Sequence, residues 1–75
     1  MIAETILWYA RRGPHRVRCA IAAGCAGVDL HLVEGETITR RERHADRSTA
    51  YERARELRAG YERAGYVLAE EAGPR

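Results

Sequence analysis

Apolar residues recur at every second position through the first half of the chain and at every third or fourth through the second half, with the change near Asp46. Period two predicts half-buried strands, and the longer period predicts an amphipathic helix. The expected fold is α+β: a small antiparallel sheet of three or four strands, covered on one face by a single C-terminal helix, in β-β-β-β-α order.

The first strand signal is Thr5-Ile6-Leu7-Trp8-Tyr9, rich in β-formers. A helix is the competing assignment, because Ile2, Ile6 and Tyr9 also have helical spacing. As a strand, it places Ile6, Trp8 and Ala10 on one face and Leu7 and Tyr9 on the other. Gly13-Pro14 ends the run in a turn. Residues 16–22 give the cleanest alternation: Val17, Cys19 and Ile21 against Arg16, Arg18 and Ala20. After the small-residue loop 23–27, residues 28–33 alternate again, Val28, Leu30 and Leu32 against Asp29, His31 and Val33. Gly35 supplies a second turn. Residues 37–43 form a weak strand whose charge suits a sheet edge, where arginine discourages pairing with other chains.

The helix is expected from about Arg47, with Asp46 or Ser48 as its cap and Thr49-Ala50-Tyr51-Glu52 in the form of a capping box. Ala50, Ala54, Leu57, Tyr61 and Ala64 make one stripe. Arg53 and Glu56, and Arg58 and Glu62, stand at ion-pair spacing. Gly60 either allows close approach to the sheet or breaks the helix. Gly65 has the position of the residue that ends it, with Tyr66 folding back. Val67 and Leu68 can dock at the end of the sheet. The expected organisation is one compact domain over residues 1–69 and a frayed tail over 70–75.

Composition narrows the function. A chain of 75 residues buries only one thin core. No apolar run approaches the length of a membrane span, and the N-terminus lacks a signal-peptide pattern, so a cytoplasmic protein is expected. Lys, Asn, Gln and Phe are absent, and the net charge is only +2. That balance does not by itself imply nucleic acid. Cys19 reads as a buried apolar residue and Cys25 as a loop thiol, with no zinc or redox spacing between them. No nucleophile elbow is present, and a Cys19–His31 dyad would need a buried, inert thiol. A domain this small is also expected to lack a pocket of a few hundred cubic ångströms. No enzyme activity, cofactor or metal is therefore expected.

Binding is what remains. Arg16, Arg18, His31, Arg40, Arg41, Arg43 and Arg47 are the candidate partner-binding residues, and Arg11, Arg12 and His15 extend the basic group at the first turn. Arginine, tyrosine and tryptophan are the residue types most enriched at binding hot spots. The leading expectation is a small non-enzymatic protein-binding module that masks a partner's surface. In size and build it is similar to inhibitors encoded by phages and mobile elements, anti-CRISPR proteins among them, although no motif carries that likeness. The alternative is a nucleic-acid-binding domain that tracks phosphates with an arginine-rich sheet face. A homodimer through the edge strand or the bare face is compatible with either. The run Glu56-Leu57-Arg58 followed by Ala64-Gly65-Tyr66 resembles the closing helix of bacterial WGR domains, without the Trp-Gly-Arg motif itself.

Overall fold

The structure, a computed structural model, describes residues 4–69. Its elements are β1 (Glu4–Arg12), β2 (His15–Gly24), β3 (Gly27–Glu34), β4 (Thr37–His44), α1 (Arg47–Arg63) and β5 (Val67–Ala69). The sheet has five strands in the order β4-β3-β2-β1-β5, one more than expected. Val67 and Leu68 do more than dock, since their strand pairs antiparallel with Tyr9, Ala10 and Arg11 at the outer edge of β1. The expected tail lies outside the described residues.

Three two-residue turns set the register. Arg12 faces His15, Gly24 faces Gly27 and Glu34 faces Thr37. Gly13 and Gly35 stand first in the first and third of these turns, at φ +59° and +65°. A positive φ followed by a negative one gives the hand that matches strand twist, so the hairpins close without splaying. Gly27 is required for a different reason. At φ +149°, a Cβ there would overlap the backbone oxygen of His44.

β4 and β5 lie on opposite edges, so the helix between them must cross the whole sheet. Four strand spacings are about 19 Å. A helix of 17 residues reaches about 25 Å, enough for the crossing. It buries Ala50 and Ala54 against the sheet, where small side chains let the two layers come close. Trp8, Ala10, Val17, Cys19, Ile21, Val28, Leu30 and Leu32 form the sheet side of the core, with Leu57, Tyr61 and Tyr66 packed at its margin. The indole N–H of Trp8 donates to the Ala54 carbonyl at 3.1 Å, which satisfies its one polar atom inside the core. Ala64, expected on the stripe, is exposed beyond the last helical turn.

The helix ends follow from side chains nearby. Asp46 is the N-cap, accepting from both the backbone N–H (2.9 Å) and the hydroxyl (2.8 Å) of Thr49. Thr49 therefore lies inside the helix as the capped residue, and the expected box starting at Thr49 does not form. At the other end, Gly65 at φ +94° donates to Glu62 and Tyr66 donates to Tyr61, a Schellman closure. The Tyr61 and Tyr66 rings meet edge-on at 5.0 Å, the apolar contact that accompanies such a closure. Arg12 reaches from the sheet to donate to the Ala64 carbonyl at 2.7 Å, and its guanidinium lies 5.1 Å from the centre of the Tyr66 ring. A cation at a helix C-terminus is favoured by the helix dipole. Gly60 neither breaks the helix nor makes a close approach, because a Cβ there would meet only the end of Arg63 at 4.0 Å.

One expected face assignment fails. The pairing of β1 with β2 shifts between Ile6 and Trp8, with Leu7 as the extra residue. A bulge reverses the alternation across it. Trp8 and Ala10 face the helix, whereas Ile6 pairs with Ala20 on the opposite side. A similar shift in β4 leaves Thr39 unpaired, so Arg40 lies beside Leu32 under the helix and Ile38 beside Val33 on the other face.

Candidate functional site

The site begins with the strand positions left over by the core. Cross-strand partners share a face, so the register lays the uncovered side out in rows. One row runs Glu4, Ala22, Asp29, Arg43; the next runs Ile6, Ala20, His31, Arg41; the third runs Tyr9, Arg18, Val33, Ile38. The last is the pair Arg11 and Arg16 beside the first turn, flanked by Val67 of β5. Among the described residues, no second layer covers this face. Its floor is nevertheless dry: Ala20 is 0% exposed, Ala22 7% and Val33 8%, because longer neighbours close over small side chains. The result is a dry apolar floor with arginines on β2, on the β4 edge and beside the first turn.

Five of the seven expected binding residues meet here: Arg16, Arg18, His31, Arg41 and Arg43. Arg40 and Arg47 do not. Strand alternation alone separates Arg40 from Arg41, and Arg40 is held on the helix side by Glu42 at 3.0 Å. Arg47 stands in the first turn of the helix with its guanidinium 3.4 Å from the Tyr51 hydroxyl. Arg11, expected only as an extension of the basic group, also lies on this face, as does Tyr9. The signal for Arg11 was available, since a two-residue turn at Gly13-Pro14 puts Arg11 opposite Arg16.

Charge is distributed unevenly over the face. At one end Arg43 binds Asp29 at 3.2 Å, and Glu4 lies 3.9 Å from Arg18 and 4.0 Å from His31. At the other end Arg11 and Arg16 are exposed and directly opposed, with no ion-pair partner among the described residues. Like charges facing each other across a strand pair are destabilising. The Nε of Arg18 is buried without an acceptor. Open depressions of about 300, 250 and 190 Å³ surround this corner, and Arg16 lines all three. Their sizes correct the expectation that so small a domain has no pocket of a few hundred cubic ångströms.

Cys19 is 0% exposed on the helix side, and burial pushes its thiol up to about 12. His31 is on the opposite face, so the two cannot form a dyad. Cys19 and Cys25 are both free thiols. Among the described residues, no three His, Cys, Asp or Glu side chains are grouped as metal ligands, and no helix is long and apolar enough to cross a membrane. The most perturbed carboxylate is Glu42, on the helix side. Arg53 donates to both its oxygens at 3.1 and 3.2 Å, His44 and Arg40 approach it at 3.0 Å each, and the carboxyl is held at about 2. That cluster ties β4 to the helix and is fully occupied by its own members.

Comparison with known protein families, with curated proteins and with solved structures finds no significant match.

Proposed function

We propose that the protein is a non-enzymatic binding module whose uncovered sheet face docks on a protein partner and masks that partner's surface. The observation that carries this reading is the build of the face: a dry floor of Ala20, Ala22 and Val33, with Arg16 and Arg18 following it along β2, Arg11 beside the first turn, and Arg41 and Arg43 on the β4 edge. Protein interfaces combine an apolar centre that excludes water with a polar rim, and arginine and tyrosine are enriched at their hot spots. A cytoplasmic inhibitor encoded by a phage or mobile element fits a module of this size that works by covering a surface. Affinity capture from the native host tests it, using the wild-type chain and the Arg16→Glu/Arg41→Glu variant. One protein should be held by the wild type and released by the variant; capture that ignores the variant removes the face from consideration. Neighbouring genes of a defence locus or prophage would support the inhibitor part of the reading.

A second reading is a nucleic-acid-binding domain, favoured by the five arginines that the face sets against Glu4 and Asp29. It requires oligonucleotide affinity that falls steeply as salt rises. A flat titration at low salt eliminates it.

A further inference from the structure

The uncovered face is polarised, and its two ends do different things. At the Glu4 and Asp29 end, Arg43 pairs with Asp29 at 3.2 Å, and Glu4 lies 3.9 Å from Arg18 and 4.0 Å from His31. At the other end Arg11 and Arg16 face each other across the β1–β2 pair, both exposed and neither with an ion-pair partner among the described residues, although Glu34 lines one of the depressions beside Arg16. Arg12, between them in sequence, points to the other side and is consumed by the helix C-terminus. The fold thus explains Arg12 and leaves Arg11 and Arg16 unexplained. We infer that the corner formed by Tyr9, Arg11, Arg16 and Arg18 receives a cluster of aspartate or glutamate side chains on the protein partner. The inference rests on the reading of this face as a protein-docking surface, and it names the chemistry of the partner and where it lands.

That occupant follows from charge, from shape and from comparison with the other occupants. Carboxylates inserted between Arg11 and Arg16 replace a repulsion with two charge-assisted pairs, and the planar guanidinium matches a carboxylate bidentately. The depressions that meet at Arg16 are walled by Tyr9, Val17 and Val33, so an acidic side chain finds apolar surface beside the charge. A nucleic-acid strand is served less well, because a polyanion crossing the sheet meets Glu4 and Asp29, and Tyr9 is the one aromatic residue that the described strand positions place on this face. Sequence-tolerant strand binders need successive stacking platforms. A second copy docked corner to corner would bring Arg11 and Arg16 against their like.

The test is a nuclear magnetic resonance titration of the isotope-labelled chain with hexaglutamate, and separately with a single-stranded thymidine oligonucleotide, at low salt. Hexaglutamate should shift the amides of Tyr9, Arg11, Arg16 and Arg18. The Arg11→Glu/Arg16→Glu variant should weaken it at least about 10-fold, roughly the loss of one charge-assisted contact. Arg41→Glu/Arg43→Glu should weaken it less than about 2-fold, as expected of charges that are distant or already paired. Circular dichroism verifies that each variant is folded, and Arg16→Ala replaces the double reversal if that one unfolds. Equal weakening by the two double variants overturns the corner while leaving the face as a docking surface. Shifts confined to the helix, or none at all, overturn both. Tighter binding of the oligonucleotide at the same four residues overturns the choice of a protein partner.

Discussion

The two faces of one sheet treat charge in opposite ways. Under the helix, Arg12, Arg40, Arg53 and His44 each hold an identified acceptor, and Glu42 collects three of them. On the open face Arg43 alone has a close ion pair, Arg18 and His31 share a distant Glu4, and Arg11, Arg16 and Arg41 have none among the described residues. None of these helix-side charges is buried; they are paired because the second layer brings carboxylates and carbonyls within their reach. Where one layer meets solvent alone, fewer partners are near, and unpaired charge survives at a small cost. Arginine left over after folding is what a partner can use.

The contrast can be broken most forcefully in the core. Leu30 is 0% exposed on the covered face, and Leu30→Ala should cost about 2–5 kcal/mol in urea unfolding, enough to unfold much of so small a domain. Val33→Ala, on the open face, should cost about 1 kcal/mol or less; equal losses would mean that the floor is a second core and not a docking surface. Gly27→Ala comes next, at about 1–3 kcal/mol, because the obstacle is the His44 backbone and cannot rotate away. Acid should weaken the covered side selectively. Glu42 is held at about 2, below its value in the unfolded chain, so its contribution is complete above about pH 5 and is lost as pH falls through 2. That loss should be about 1 kcal/mol after solvent screening, and Glu42→Gln should remove this part of the pH slope. Gly60→Ala should stabilise the helix by about 0.5–1 kcal/mol, since the added methyl meets only a flexible arginine tip. The smallest effect is expected at the open corner: Arg16→Ala should raise thermal stability by about 0.3 kcal/mol by removing the opposition to Arg11. A loss at Arg16 comparable to that at Glu42 would erase the distinction between the faces.

Much of this architecture could be read from local pattern. Val17, Cys19 and Ile21 alternate with Arg16 and Arg18, and the structure puts the first set under the helix and the second outside it. Asp46, one of the two caps expected, and Gly65 mark the helix ends. The site was legible in part. Arg16, Arg18, His31, Arg41 and Arg43 share the open face, but Arg40 was included although its neighbour Arg41 already excluded it by parity. Ile6 was misplaced for a subtler reason. The bulge at Leu7 leaves no mark in the β-formers around it, and it puts the Trp8 indole within reach of Ala54, 46 residues along the chain.

Strands, turns and helix caps were determined by the sequence itself, because each depends on residues within a few positions of one another. Tertiary structure decided the rest. It recruited β5 to the β1 edge because the helix must cross the sheet from one side to the other. It also sorted the arginines into those the helix consumes and those it leaves, since that depends on which carboxylates the crossing brings near. Pairing of this kind is non-local, and no spacing along the chain encodes the distance from Glu42 to Arg53.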